Sequence, residues 1–257
     1  MLFRSEAIKE SSDLEEVLPA LEYFERFGNS KTIEPLVALY GKTDNVKIKR
    51  GVVKAISEHG QGQDSVISLL SDCVDSRDTT LVLNCLSALQ IQAKKDSKTL
   101  LAVEKTLQSS DPDVILATLE LIQSLPESPN EKISLRLLEL IEENSENDIV
   151  EKSLLAIGVC GDHSEAIVKA LQKSLEEKES EEGIRISAAL SLGKQSDKFP
   201  EGPKSALNDC KASTGNSKSL VTACQLALQE LQNRASKAQS SNPENTGSLQ
   251  KGTKKTS

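Results

Sequence analysis

The residues best suited to chemistry in this 257-residue sequence are Cys160 and His163, which stand in the run Cys-Gly-Asp-His. A thiol near an imidazole suits a nucleophile with its base, or half of a zinc site. The only other histidine, His59, lies far earlier in the chain, and no second Cys/His pair supplies the missing zinc ligands. We therefore expect no metal site and no catalytic dyad here, with Cys160 as the least buried of the candidate thiols.

The motifs that mark common enzymes are missing from the sequence. It contains no G-x-G-x-x-G, no P-loop and no G-x-S-x-G. The segment Gly60-Gln61-Gly62 is interpreted as a turn, because no lysine or helix-start hydroxyl follows it at P-loop spacing. We expect no cofactor and predict that the chain alone is not a hydrolase, kinase or oxidoreductase.

The cysteines favour a reducing compartment. There are five, widely spaced and without a C-x-x-C: Cys73, Cys85, Cys160, Cys210 and Cys224. An odd number with this spacing is typical of reduced thiols, so we predict a cytoplasmic location. No apolar run approaches 18 residues, and we expect no membrane partner.

Charge argues against nucleic acid as the main partner. The net charge is −8, and residues 234–257 contribute +4, which leaves −12 for residues 1–233. Residues 139–183 alone carry −9. A surface that binds phosphates needs a basic stripe and often aromatic residues, whereas this chain has only six aromatic side chains. The acidic segments are interpreted as a solvated rim or, alternatively, as a docking edge for a basic partner.

One apolar position, here called the anchor, recurs through the chain every 33 to 36 residues. The anchors are Ile48, Leu81, Val114, Ile149, Ile184 and Leu220. A second apolar residue follows each anchor after eight positions, and the residue four positions after the anchor is never large. Offsets of 0, 4, 7 and 8 lie on one face of an α-helix, so the pattern predicts helices that pack closely.

Second amphipathic stretches alternate with the anchored helices along the chain and are separated from them by polar loops. These stretches are Ile33–Tyr40, Val66–Cys73, Leu100–Leu107, Ile133–Ile141 and Ile167–Leu175. At the joint before Val114, Asp111 is a predicted N-cap and Pro112 suits the first helical position. With no alternating apolar and polar run, the sequence predicts an all-α solenoid of stacked antiparallel helical hairpins, with six to seven repeats.

Two segments resemble bacterial HEAT-like repeats: Gly28–Leu39 and Gly161–Leu171. The joint at 110–114 and the Ile184-Arg185 pair are also similar, and the likeness covers about residues 13–233. The resemblance implies the α-solenoid fold. It also implies two alternative functions, because phycobilisome lyase subunits, which attach bilin chromophores with a partner subunit, and nucleic-acid-binding modules such as alkylpurine glycosylases belong to this class.

The predicted domains are a HEAT-like solenoid over residues 1–233 and a basic polar tail over residues 234–257. The tail is rich in Ser, Asn, Gln and Lys and holds one leucine. Such a segment buries too little apolar area to offset the entropy of ordering it, so we expect it to be disordered.

The second helix of the fourth repeat carries leucines outside its expected core stripe. Ile133, Leu137, Leu140 and Ile141 form that stripe, whereas Leu135 and Leu138 lie off it. Their equivalents are Lys169 and Gln172 in the fifth repeat and Leu101 and Glu104 in the third. The extra leucines either add packing inside a central repeat or form an exposed docking patch.

The docking alternative gives a specific site and a function. Leu101, Leu135 and Leu138 would form its apolar centre, and the predicted charged surround is Arg136, Glu139, Lys169, Lys173 and Glu176. A solenoid exposes much surface for its mass, and this one lacks catalytic motifs. The sequence therefore favours a protein-protein interaction scaffold whose partners are one or more proteins.

Overall fold

The protein is mainly α-helical in the part of the chain that the computed structural model describes, residues 14–92, 96–143, 146–195 and 198–240. Those residues form thirteen α-helices and one short 3-10 helix, Ser30–Thr32, and no strand. The chain divides into two compact units, Met1–Asp162 and His163–Ser257. The predicted all-α class is confirmed.

The helices are short, and all but the last have 10 to 14 residues. In the first unit they are α1 (Leu14–Phe27), α2 (Ile33–Lys42), α3 (Val46–His59), α4 (Asp64–Cys73), α5 (Thr79–Gln92), α6 (Ser97–Thr106), α7 (Pro112–Ser124), α8 (Glu131–Glu143) and α9 (Asn147–Cys160). In the second unit they are α10 (Glu165–Glu176), α11 (Glu182–Gln195), α12 (Glu201–Ala212) and α13 (Lys218–Ser240).

The helices stack in two layers, as the repeat pattern predicts. In the first unit the first helices of the repeats pack side by side in the order α1, α3, α5, α7, α9, and the second helices pack in the order α2, α4, α6, α8. In the second unit α11 packs on α13, and α10 packs on α12. Each second helix packs on the first helix of the following repeat within its own unit. The chain is therefore a solenoid of stacked antiparallel hairpins.

The anchors supply the core, because every one of the six is buried. The apolar residues eight positions further on are also buried in five repeats, from Ile56 to Leu192. The sixth, Leu228, is only half-buried. Each hairpin thus leaves an apolar face that its neighbours cover, so stability comes from stacking.

Four of the first helices are capped by a side chain three residues before the anchor, one position before the helix begins. Asp111 accepts a hydrogen bond from the backbone N–H of Asp113, with Pro112 at the first helical position, which confirms the predicted cap. Asn45, Asp78 and Ser217 occupy the same position in other repeats and also accept backbone N–H groups. These caps satisfy donors that the first turn leaves open.

Small residues let neighbouring first helices approach closely. At Gly193 in α11, an added Cβ would lie 2.7 Å from the Ala227 Cα and 2.7 Å from the Ala227 carbonyl oxygen in α13. At Gly51 in α3, a Cβ would lie 2.8 Å from Leu21 Cδ1 in α1. Gly193 and Gly51 stand nine and three residues after their anchors, so they are additional to the small positions of the sequence pattern. At Gly193 the backbone of α13 leaves no room for a larger side chain.

The last helix extends beyond the predicted end of the solenoid. Helix α13 continues to Ser240, so residues 234–240, assigned to the tail from the sequence, are helical. An ion pair within the helix stabilises this extension, because Arg234 Nε donates to Glu230 Oε1 at 2.7 Å, one helical turn earlier. Residues 241–257, on which the rest of the tail prediction falls, lie outside the described residues.

Two disulfides contradict the expectation of reduced thiols. Cys73 is bonded to Cys85, and Cys210 to Cys224, with Cα–Cα distances of 6.2 and 6.4 Å. The sequence prediction failed because these cysteines are 12 and 14 residues apart, and only helix packing brings each pair together. The interpretation of Cys85 and Cys224 as core residues is confirmed, since both are fully buried.

Candidate functional site

The predicted apolar centre lies on two packed second helices of the first unit. Leu101 is on α6 and Leu135 on α8, and their exposed fractions are 51% and 55%. Helices α6 and α8 pack side by side in the second-helix layer. Leu138, also on α8, is half-buried. Two of the three predicted leucines therefore face solvent, and the third is partly covered.

The amphipathic pattern of α8 explains this placement. Ile133, Leu137 and Leu140 are buried and form the face that packs inward. Leu135 is two residues from both Ile133 and Leu137, about 200° around the helix, so its side chain points to the opposite side. Ile141, predicted to be in the core stripe, is only half-buried. The helix thus has a complete inward face without Leu135.

Arg136 has a structural contact as well as a place beside the leucines. Its Nε donates to the Leu107 carbonyl oxygen at the end of α6, at 3.0 Å, and its Nη1 pairs with Glu139 Oε2 at 2.9 Å. Because one guanidinium bridges a helix end and a neighbouring carboxylate, it fixes α8 against α6. Glu139 stays more than half exposed.

A polar link that the sequence reasoning missed joins the same two helices. Glu104 on α6 accepts from Asn130 Nδ2 at 3.2 Å and pairs with Lys132 Nζ at 3.5 Å. The partners are 26 and 28 residues apart, so only the stacking of repeats reveals them. Together with Arg136, this link sets the register of α6 and α8 and holds Leu101 and Leu135 on the outside.

The remaining predicted residues form a separate group on α10 of the second unit. Lys169, Lys173 and Glu176 line an open depression together with Gln172 and Glu177. Lys169 Nζ pairs with Glu165 Oε1 at 2.7 Å, and Gln172 Nε2 donates to Glu176 Oε1 at 2.9 Å. These contacts are exposed pairs within one helix, which contribute little to stability.

Comparison with known proteins gives a fold but no sequence family. No family model matches the sequence, and no curated protein matches it. A solved archaeal HEAT-like repeats protein from Thermococcus onnurineus NA1 is similar with a TM-score of 0.57 and 14% identity, covering 91% of this chain and 97% of that one. A designed armadillo repeat protein in complex with the peptide (KR)4 has a TM-score of 0.51 and 14% identity, covering 89% and 98%.

The chain has the HEAT-like repeat fold. Both neighbours are built from stacked helical repeats, as this chain is, and the resemblance in the sequence had pointed to the same fold. At 14% identity they show the fold alone. None of its helices, within the described residues, is long and apolar enough to cross a bilayer.

Cys160, predicted to be the least buried candidate thiol, is fully buried in this HEAT-like repeat chain. The loop before α8 covers the end of α9, because the backbone N–H groups of Ser128 and Asn130 donate to the Val159 and Cys160 carbonyl oxygens. His163 belongs to the second unit, where its backbone N–H donates to Gln195 Oε1 at 3.1 Å.

His59 holds two helices of the first unit together. Its Nε2 lies 3.0 Å from the Glu25 carbonyl oxygen near the end of α1. Because a carbonyl oxygen only accepts, Nε2 carries the proton. The described residues hold no group of three or more metal-ligating side chains. The hydrogen bond from His59 links α3 to α1.

Proposed function

We propose that the chain is a non-catalytic protein-interaction scaffold that binds a protein partner on the leucine face, defined as the exposed surface of α6 and α8 around Leu101 and Leu135. The carrying observation is that these two leucines are each about half exposed on neighbouring packed helices. Contiguous exposed apolar area on a folded surface usually marks an interaction site.

The surroundings of the leucine face support the same function. Exposed polar residues, Lys98, Lys105, Glu131, Lys132 and Glu139, share α6 and α8 with the leucines. An apolar centre within a polar rim is the usual anatomy of a protein interface. The links from Arg136 and Glu104 hold both helices in place, so a partner would meet a preorganised surface and lose less entropy on binding.

Charge supports a partner with basic groups beside its apolar contact. Helix α8 ends with exposed carboxylates at Glu139, Glu142 and Glu143, and residues 1–233 carry −12. One protein of similar fold, the designed armadillo repeat protein, is in complex with the basic peptide (KR)4. Opposite charge at the rim raises the association rate, and we expect binding to weaken moderately as salt rises.

The group on α10 is a polar surface of the second unit, and we propose it as a contact separate from the leucine face. Lys169 and Lys173 are exposed, and they lie beside Gln172 on the wall of the α10 depression. Replacing both lysines with glutamate is expected to slow association with an acidic portion of the partner. A measured association rate equal to that of the wild type would contradict the contact on α10, whereas the proposal for the leucine face would stand.

The leucine face is tested with Leu101→Glu combined with Leu135→Glu. Proteins captured from the native cell by the wild-type chain are compared with those captured by this variant and by the control Leu226→Glu. Leu226 is matched because its exposed fraction, 51%, equals that of Leu101, and it lies on α13. The proposed partner is captured by the wild type and the control and is lost with the double variant.

Affinity for the purified partner then measures the effect. The double variant is expected to bind at least tenfold more weakly, a loss of about 1.4 kcal/mol, because it places charge in the apolar centre. Its melting temperature should stay close to that of the wild type, because both leucines are exposed. Equal affinity of the double variant and the wild type would contradict the proposal.

The predicted cytoplasmic location depended on reduced thiols, so the disulfides leave it without support. The lyase and nucleic-acid alternatives stay predictions implied by resemblance. The solved neighbours are similar in fold alone and favour neither of them.

A further inference from the structure

The two disulfides occupy the same place in the repeat. Cys85 and Cys224 each stand four residues after an anchor, Leu81 and Leu220, and both lie on first helices. Their partners, Cys73 and Cys210, lie on the preceding second helices, α4 and α12, near or at the last residue. Each disulfide therefore joins the end of one repeat's second helix to the core of the next repeat's first helix.

The local geometry around the two bonds is also the same. Cys73 Sγ lies 3.8 Å from the Leu81 carbonyl oxygen, and Cys210 Sγ lies 3.9 Å from the Leu220 carbonyl oxygen. In both pairs the cysteine on the first helix is fully buried and its partner is nearly so. One bond lies in each unit, α4 to α5 in the first and α12 to α13 in the second.

The junction between α6 and α7 shows that the fold does not require a disulfide at this place in the repeat. Thr106 and Thr118 stand at the positions equivalent to Cys73 and Cys85, with the same separation of 12 residues. Both threonines are buried, and their hydroxyls donate to carbonyl oxygens of their own helices, those of Ala102 and Val114. The two helices at that junction pack without a covalent link. A disulfide at the equivalent places therefore adds stability to packing that already exists.

We propose that these disulfides are repeat-equivalent cross-links, one for each unit, that form in an oxidising compartment and make the stability of both units depend on thiol redox conditions. Formation from four thiols by a small-molecule disulfide such as oxidised glutathione releases two thiols of glutathione per cross-link. Reduction by a dithiol returns two electrons and two protons to each cross-link and leaves the dithiol as a cyclic disulfide. This inference is independent of the leucine face.

Burial makes the cross-links persistent once formed. A thiolate must reach a disulfide sulfur to exchange with it, and access limits the rate. Since Cys85 and Cys224 are fully buried, exchange requires local opening of α4 from α5 or of α12 from α13. Cys160 belongs to neither cross-link and is also fully buried, so the native pairing is protected from exchange with it.

Mapping thiols in the full chain from its native cell tests the first part of the proposal. Cells are quenched in acid, and thiols are blocked with N-ethylmaleimide under denaturing conditions and without reductant. The expected result is one blocked cysteine, Cys160, and two linked peptide pairs, Cys73 with Cys85 and Cys210 with Cys224. Five blocked cysteines would show that all the thiols are reduced in the cell and would contradict formation in an oxidising compartment.

Thermal unfolding of the oxidised full chain with and without dithiothreitol tests the second part. A cross-link that closes a loop of this size typically stabilises enough for a shift of about 5 to 10 °C, so the dithiol should lower the melting temperature by at least that. The variant C73T/C85T copies the pair Thr106 and Thr118. Dithiothreitol should lower its melting temperature less than that of the wild type, because its first unit has no cross-link to reduce. The variant C210T/C224T should show the same for the second unit.

The combined four-residue variant supplies the control. It should fold, as its helical circular dichroism would show, and its melting temperature should not respond to the dithiol. A wild-type melting temperature that dithiothreitol leaves unchanged, with the linked peptides confirmed beforehand and lost afterwards, would overturn the stabilising role. An equal response in the four-residue variant would overturn it as well.

Discussion

At the scale of single residues, two buried serines of the first unit differ in what their hydroxyls meet. Ser134 Oγ donates to the Asn130 carbonyl oxygen at 2.7 Å and also lies 3.0 Å from that of Cys160. Ser153 Oγ is buried and has no hydrogen-bond partner among the described residues. A buried polar group without a partner costs free energy that a satisfied one does not.

Alanine at these two positions is therefore expected to act in opposite directions. Ser153→Ala should raise the free energy of unfolding by about 1 kcal/mol, because it removes an unsatisfied hydroxyl and alanine favours helices. Ser134→Ala should lower it by about 1 kcal/mol, because it removes the link to the end of α9. Denaturant unfolding of both variants measures the difference, and a fall in stability for Ser153→Ala would contradict the assignment.

The charge of Asp78 stabilises the first unit through an ion pair and a helix cap. Its carboxylate pairs with Arg50 Nη2 at 2.6 Å and accepts the Leu81 backbone N–H at 2.7 Å. The hydrogen bonds from Arg50, and then from Leu81, lower the pKa of Asp78 below its ordinary value. Because the folded pKa is lower than the unfolded one, the stabilisation is present above the unfolded pKa and is lost as the pH falls through the folded value.

Asp78→Asn is expected to lower the melting temperature at pH 7, since asparagine keeps the cap but loses the charge that pairs with Arg50. The difference from the wild type should shrink below about pH 4, near the unfolded pKa of aspartate. Asp75→Asn is the control, because its pair with Lys105 is exposed on both sides and should matter little. A difference that stays constant down to about pH 3 would contradict the role of the charge.

At the scale of helices, the fit between neighbouring first helices limits which side chains the repeats accept. Gly193→Ala would place a Cβ against the Ala227 backbone at 2.7 Å, and backbone cannot move aside as a flexible side chain can. We expect the second unit to lose about 2 kcal/mol of stability. The shift in denaturant midpoint measures this loss.

Gly41 provides a matched control in α2, because a Cβ there would meet nothing within 4 Å. Gly41→Ala should leave stability unchanged or raise it by up to about 1 kcal/mol, since alanine has the higher helix propensity. If Gly193→Ala unfolded at the same denaturant midpoint as the wild type, α11 and α13 would not be packed as closely as described.

Helices and core could be predicted because their signals are local. The anchors and the residues four and eight positions after them repeat at helical spacing, and Asp111 carries its capping role in its own side chain. Contacts such as Cys73 with Cys85, or Glu104 with Asn130, depend on how repeats stack. Side-chain periodicity does not reveal the angle or offset of that stacking, so these pairs were missed.

At the scale of the whole molecule, the repeats of each unit present the surfaces of two helix layers. The sequence could place Leu135 off the core stripe of α8, but it left open whether the residue was covered. The structure shows it more than half exposed beside α6. The sequence likewise could not show that Cys160 is covered. The prediction that it is the least buried thiol was wrong because a loop from the preceding hairpin covers the end of α9.

Hydrogen–deuterium exchange of the full chain, with and without the partner captured by the leucine face, tests the central claim most directly. Binding is expected to slow exchange in α6 and α8, which carry Leu101 and Leu135, and to leave α5, α7 and α9 of the first-helix layer unchanged. Protection confined to the first-helix layer, with α6 and α8 exchanging as they do in the free chain, would contradict the proposed scaffold surface.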